Sequence, residues 1–368
     1  MSLLSRVQLF HEIENYRKRP LIVYVTSMRR NLAGEIARDV VSEILSQLEA
    51  LPKNTKELDF FLASYGGDGT VAWRIVSLIR ERVETFSVLI PQAAFSAATL
   101  IALGADEIVM HPNGNLGPTD PQITNQSKNV RFGAEDLAAY LKFARDEVGL
   151  TDQAPMLELF KQFSAEVGFV GVGVAARGSQ MSQTMGEKLL RLHMKSESQS
   201  QKAKLISDAL NKKFFHHGYP VSRSEAKEIG LPIAEADPTL DSKIWRLWLD
   251  IEEELKFREP FSPAKLLKED HRCAGLFSNP LPTTPPAAYT TEFEHVAGVV
   301  ESCRKASRSV TSGDINATRG PDMGLKVSML SFKDGWISVD VPTVESAPQP
   351  TEKKTNRQNR RGHEIKSA

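Results

Sequence analysis

Over the first 122 residues the apolar positions alternate between two periods. Leu21-Ile22-Val23-Tyr24-Val25-Thr26 is a short run rich in β-branched residues, and after a polar turn Ile36, Val40, Ile44 and Leu48 recur at helical spacing with charges between them. This predicts a strand followed by an amphipathic helix. The pattern repeats at Leu58-Asp59-Phe60-Phe61-Leu62-Ala63, a glycine-rich turn at Ser64–Thr70, and a helix on which Val71, Ile75, Leu78, Ile79 and Val83 share a face. It repeats again at Phe86–Ile90, a turn, a short apolar helix from Ser96 to Leu103, and Glu107-Ile108-Val109-Met110. Strands apolar nearly throughout, separated by helices, fit a mostly parallel sheet covered on both faces, so the expected fold class is α/β.

From Phe132 onward the strand signal largely disappears and helices are expected at 134–149, 154–165, 184–211 and 238–257, a helical subregion spanning 132–258. Ser222-Arg223-Ser224-Glu225 has the spacing of a capping box, and the helix it opens ends at Gly230. Trp245, Leu249 and Ile251 read as packing positions of the last of these helices. Past Pro260 the prolines at 280, 282, 285 and 286 mark a linker over 261–290. Residues 291–345 read as a small accessory segment, with a short helix at Glu294–Arg304 and a hairpin over Leu325–Val341 turning at Asp334-Gly335. The polar tail, 346–368, carries Lys353, Lys354, Arg357, Arg360, Arg361 and Lys366 and is expected to be disordered. Residues 1–260 would then form the main domain.

Composition narrows the function classes. The 46 Lys+Arg balance 46 Asp+Glu, which removes any chain-wide electrostatic reason to bind nucleic acid or anionic membrane and leaves only the basic tail for such a role. Two cysteines, Cys273 and Cys303, are too few for a disulfide framework or a thiolate zinc site. A cytoplasmic location follows as the expectation. No apolar run approaches the ~20 residues of a membrane helix, and the first 20 residues are too charged for a signal peptide. The eight histidines lack metal-ligand spacing, so neither metal nor cofactor is expected.

The chemistry-bearing residues sit where predicted strands end, the edge at which open α/β sheets collect ligands. The first turn, Ser64-Tyr65-Gly66-Gly67-Asp68-Gly69-Thr70, allows positive φ and close backbone approach, and the helix after it offers unpaired N–H donors. It lacks the Gly-Lys-Ser/Thr ending of a nucleotide loop. The second, Pro91-Gln92-Ala93-Ala94-Phe95-Ser96-Ala97-Ala98, places a serine among alanines at a helix start, where its hydroxyl is sterically open and developing negative charge is favoured. Each turn alone has a plainer explanation, chain reversal for the first and a serine helix cap for the second. Together they supply a nucleophile and the backbone donors of an oxyanion hole. Asp68 reads as the cap of the helix after the glycines, and Trp73 as a core residue of that helix.

Ser-Tyr-Gly-Gly-Asp at 64–68, Pro-Gln-Ala-Ala-Phe-Ser-Ala-Ala at 91–98, Glu-Ile-Val-Met at 107–110 and Leu-Gly-Pro-Thr-Asp-Pro-Gln at 116–122 resemble the serine dehydrogenase proteinase family. That family groups with the ClpP, SppA and crotonase-like enzymes. The segment 218–233, with His217 before it, resembles the family's C-terminal signature. The resemblance implies a ClpP/crotonase-like β-α superhelix, Ser96 as nucleophile, the Gly67 and Ala97 amides as oxyanion hole, a peptide substrate and a homo-oligomer. The general base stays open. ClpP uses a histidine backed by an aspartate, and SppA-like relatives use a lysine held neutral by burial. Here the candidates are His217, which needs the helical region to fold back over the strand ends, and Lys128, near the place of the SppA-like lysine. Asp120, near the place of the ClpP histidine, reads as an orienting or loop-structuring residue. Beside the serine peptidase stand two alternatives: a crotonase-like acyl-CoA enzyme and a catalytically inactive oligomeric scaffold.

Overall fold

The computed structural model describes residues 3–125, 130–214, 216–277, 289–319 and 324–342. Lys128, the basic tail and the proline-rich stretch 278–288 lie outside them. The expected parallel strands form β1 (Leu21–Thr26), β2 (Glu57–Ala63), β3 (Thr85–Ile90) and β5 (Glu107–Met110), with the two-residue β4 (Ala93–Ala94) between the last two. Helices α1 (Leu3–Arg17), α2 (Val40–Glu49), α3 (Gly69–Arg82) and α4 (Ala97–Leu103) alternate with them. Strands β1, β2, β3 and β5 run parallel, Val23 beside Phe61, Phe61 beside Leu89, and Leu89 beside Val109.

Both faces of this sheet are covered, which explains the unbroken apolar runs. Ile22, Tyr24, Phe60, Phe86 and Val88 join one core with α2, α3 and α4, while Leu21, Val23, Phe61, Leu89 and Val109 join a second with α1. Helix α1 was not foreseen from the sequence, although Leu3, Val7, Phe10 and Ile13 are all buried along one of its faces. Ile36 proves not to belong to α2, which starts at Val40; it pairs instead with Gly67 across a parallel bridge.

After β6 (Asn115–Leu116) and the hairpin of β7 (Gln122–Asn125) with β8 (Val130–Gly133) comes the helical region: α5 (Ala134–Asp146), α6 (Gln153–Val167), α7 (Phe169–Leu190), α8 (Glu197–Lys212), α9 (Arg223–Glu228) and α10 (Pro238–Glu254). The single helix expected at 184–211 is two, because Ser196 opens α8 with a capping box to Gln199. The capping box at Ser222 and Glu225 is present, and Gly230 follows α9 with φ +99°.

A short α11 (Pro263–Glu269) precedes three long antiparallel strands, β9 (Tyr289–Glu301), β10 (Ala306–Arg319) and β11 (Leu325–Val339), which extend the main sheet beyond β1. The helix expected at Glu294–Arg304 is therefore a strand: Thr291, Phe293 and His295 are buried while Thr290, Glu292 and Glu294 are exposed, a period of two. The hairpin expected at Asp334-Gly335 is also absent. Those residues lie within β11, paired with Thr311 and Val310 of β10, and a register shift at Ser312/Gly313 absorbs the irregularity.

The extension is tied to the rest by a buried cation. Arg6 is fully buried, and its Nε lies 2.7 Å from Asp250 Oδ1 of α10 and its Nη1 2.8 Å from Glu301 Oε2 of β9. It also bonds Glu254, which pairs in turn with Arg308 of β10. Burial pushes the Glu301 carboxyl up, against the pull of Arg6. Arg6→Ala leaves the buried Asp250 without its cation and Glu301 and Glu254 with Arg308 alone, and is expected to cost about 3–5 kcal/mol, read as a lowered denaturant midpoint.

Candidate active site

The carboxyl ends of β2 and β3 are held side by side by their backbones. Ser64 N–H donates to Ala93 O at 2.9 Å and Phe95 N–H donates to Ser64 O at 2.9 Å, joining the glycine turn to the Ser96 turn. The buried Ser64 hydroxyl accepts from the Gly66 N–H at 3.1 Å and from Thr26 Oγ1 at 2.7 Å. On its other side the glycine turn is clasped by Ile36, whose N–H donates to Gly66 O and whose carbonyl accepts from Asp68 N–H, both at 2.8 Å. Asp68 caps α3 as the sequence suggested, accepting from Thr70 N–H at 2.8 Å.

The glycines are required by this packing. Gly66 has φ +108°, and a Cβ there would lie 2.7 Å from Ser96 Cβ and 2.8 Å from Phe95 O. Gly67 has φ +147°, and a Cβ would lie 2.3 Å from Ile36 O. Two turns can approach so closely only where one lacks side chains. With Gly66 N–H taken by Ser64, neither the Gly67 nor the Ala97 N–H donates to a protein acceptor among the described residues.

Ser96 itself is strained. It has φ 53° and ψ −115°, a combination costing a non-glycine residue on the order of 1–3 kcal/mol. It stands at the N-cap of α4, yet its side chain makes no capping hydrogen bond, so the plain capping explanation does not account for it. Thr99, one turn on, fixes the neighbouring loop: its buried Oγ1 lies 2.7 Å from Ala94 O and accepts from Gly117 N–H at 3.0 Å.

The helical region does fold back over the strand ends. Leu116 and Val221 exchange N–H···O bonds of 3.0 and 2.8 Å, Thr119 N–H donates to Leu210 O at 3.0 Å, and Ser182 Oγ donates to Thr119 O at 2.5 Å. These contacts bring His217 against Asp120, with Nδ1 and Oδ1 2.8 Å apart. The second Asp120 oxygen accepts from Gln122 Nε2 at 2.9 Å, which fixes the carboxylate's orientation. A histidine whose Nδ1–H faces a carboxylate leaves Nε2 as the acceptor of its neutral ring.

Ser96, Gly67, Ala97 and His217 line one cavity of about 430 Å³, together with Tyr65, Leu100, Met181 and Met185. A second cavity of about 500 Å³ is lined by Asp120, Phe132, Lys142 and Phe214 among others, and His217 borders both. His216 lines only the second; its Nδ1 accepts from Gly218 N–H. His111 is away from both cavities, stacked on Trp245 with centroids 4.7 Å apart. Sequence reasoning missed Thr99, Gln122, Met181 and Ser182. Gln122 closes the motif at 116–122 but was given no role there, and Ser182 carried no signal beyond its place on a helix.

The segment 33–35 closes the cavity's rim, and His295 of β9 backs it, hydrogen-bonded to the Leu32 backbone. Burial, reinforced by the charge of Arg29, lowers the His295 pKa to about 4. A base whose folded-state pKa is depressed below its usual ~6.5 stabilises the fold above that value and loses this contribution as pH falls toward 4. The denaturant midpoint of the wild type should therefore fall between pH 6.5 and 4 more steeply than that of His295→Asn. Gly66→Ala, which meets both a positive φ and the Ser96 side chain, should lower stability by about 1–3 kcal/mol in the same measurement.

Among the described residues no helix is long and apolar enough to cross a membrane. Two uncharacterized proteins of Methanocaldococcus jannaschii resemble the chain. MJ0137 is 28% identical over 238 residues, covering 62% of this chain and 73% of its own, and MJ1495 is 25% identical over 251 residues, covering 67% and 76%. Two solved structures of the 1510-N membrane-bound stomatin-specific protease also match, each with TM-score 0.37 and 15% identity. One is a serine-to-alanine mutant, covering 61% of this chain and 84% of its own; the other is a lysine-to-alanine mutant in complex with a substrate peptide, covering 60% and 78%. The family model described as ClpP-like SDH-type serine proteinase matches residues 5–134, which hold Ser96, the glycine turn and Asp120. Over this segment the chain is similar to the ClpP-like SDH-type serine proteinases.

Proposed function

We propose that the chain is a serine peptidase working through Ser96, His217 and Asp120. The observation that carries the reading is the His217–Asp120 contact of 2.8 Å at the border of the cavity that Ser96 lines. In this mechanism Ser96 Oγ attacks the scissile carbonyl while its proton passes to His217 Nε2, and Asp120 holds the opposite ring nitrogen and stabilises the imidazolium. The oxyanion accepts from the Gly67 and Ala97 N–H groups, whose lack of acceptors among the described residues supports the role. The imidazolium then protonates the leaving amine, and a water, deprotonated by the same ring, releases the acyl group from Ser96. The strained Ser96 backbone suits this chemistry, because it presents the hydroxyl away from the capping position. The reading takes a peptide as substrate and extends to a ClpP-like β-α superhelix, a homo-oligomer and a cytoplasmic setting.

A fluorophosphonate probe is expected to label Ser96 in the wild type and not in Ser96→Ala, with peptide hydrolysis lost in parallel. Asp120→Asn and His217→Ala should each lower kcat by about 10³–10⁴-fold, measured on a peptide the wild type cleaves. Activity that survives His217→Ala but vanishes in Lys128→Ala would assign the base to the lysine. An unlabelled Ser96 with no hydrolysis would overturn the reading in favour of a scaffold, or of an acyl-CoA enzyme if a CoA thioester binds.

A further inference from the structure

Next to the candidate active-site cavity, and sharing Met181 and Met185 with it, lies an open groove of about 370 Å³ between α3 and α7. Its floor is Trp73, the residue the sequence suggested as core. Trp73 does pack against the main core, but it is only partly buried and its remaining surface is the groove. The α7 side is a single helical stripe, with Arg177, Met181 and Met185 four residues apart and Lys188 one turn beyond. Lys188 Nζ sits 3.7 Å from the Trp73 ring centroid. Two cations line the groove and no carboxylate does.

We propose that this groove is a substrate subsite that takes a bulky apolar side chain with an acidic group next to it. The proposal rests on the peptidase reading, and it adds the residues that would set specificity. The two shared methionines make the apolar wall continuous from Leu100 and the Ser96 cavity to Trp73, so an extended peptide acylating Ser96 crosses them to reach the indole. Methionines adapt to side chains of different shape, and Trp73 offers a flat apolar surface. Arg177 and Lys188 then meet the neighbouring carboxylate. Lys188 is already held over the ring, so less of its rotamer freedom is lost when an anion binds. A basic peptide is disfavoured by the same two charges.

The test uses full-length Ser96→Ala protein, which binds without turnover, and fluorescein-labelled octapeptides in which a Phe-Glu pair is walked along a neutral sequence and compared with Phe-Lys and Ser-Glu at the same position. At one position Phe-Glu should bind about five- to tenfold more tightly than Phe-Lys in anisotropy titrations, with the gap narrowing as salt rises. Arg177→Glu/Lys188→Glu should abolish or invert that preference, and Trp73→Ala should erase the advantage of Phe-Glu over Ser-Glu. Met181→Gln, at a side chain already 45% exposed, gives the same apolar readout if Trp73→Ala does not fold. Equal affinities for Phe-Glu and Phe-Lys at every position, or a preference untouched by the charge reversal, would overturn the proposal. So would a charge reversal that changes only the oligomeric state in sedimentation, which would make the groove an interface between copies. Fluorophosphonate labelling of wild-type Ser96 reads the peptidase mechanism separately, so failure of the subsite and failure of the mechanism are told apart.

Discussion

The site depends on Ser64 more than on any residue that lines it. Its backbone pairs with Ala93 and Phe95, so the ends of β2 and β3 are joined past the point where the main strands stop pairing. Its hydroxyl takes up the Gly66 amide, which leaves Gly67 as the next donor along the turn. A buried hydroxyl that lost these partners would cost about 1–3 kcal/mol, and the two turns would lose their common register. The proximity of glycine turn and serine follows from main-chain geometry, with side chains needed only to stay out of the way.

The second half of the arrangement comes from the helical region, and it is reached differently. His217 is 97 residues from Asp120 and meets it because Leu116 and Val221 pair, with Thr119 and Ser182 fastening the loop between them. A local feature, the parallel strand edge, thus carries Ser96 and the glycine turn, while a long-range one carries His217. This division matches the extent of the family match, which includes Ser96, Gly67 and Asp120 and stops well short of His217.

The same division governs what could be read from the residues. The parallel strands were legible because both faces are buried, and the two turns were legible only as a pair, since each alone has a plainer explanation and together they set glycines and a serine at successive strand ends. Ser96, Gly67, Ala97, Asp120, His217 and Lys128 could be named as candidates, but the sequence could not show that His217 meets Asp120, since that contact depends on how a helical region without strong periodicity packs. The misreading of 294–304 has another cause. In Tyr289–Glu301 the alternation of Thr291, Phe293 and His295 with charged neighbours is followed by Val296, Val299 and Val300, whose spacing also suits a helix, and only pairing with β1 and β10 decides between them. Met181 and Met185 gave no sign of their position because a methionine on a helix is usually packing.

The pairing of β1 with β9 has a consequence for how this chain acquires its structure. Val23 pairs in register with Glu301, and Arg6 reaches carboxylates 244 and 295 positions away. A ribosome making about 5–20 residues per second leaves this edge of the parallel sheet unpaired for on the order of 15–60 s. During that interval β1 presents an open template of backbone donors and acceptors, the kind of surface through which nascent chains associate wrongly. The parallel sheet is also slow to assemble by its own topology, since non-local contacts repay loop closure late. The half of the molecule that holds Ser96 is thus synthesised before the strands that complete its sheet, and its vulnerable period is spent at an edge remote in sequence from the strands that finally cover it.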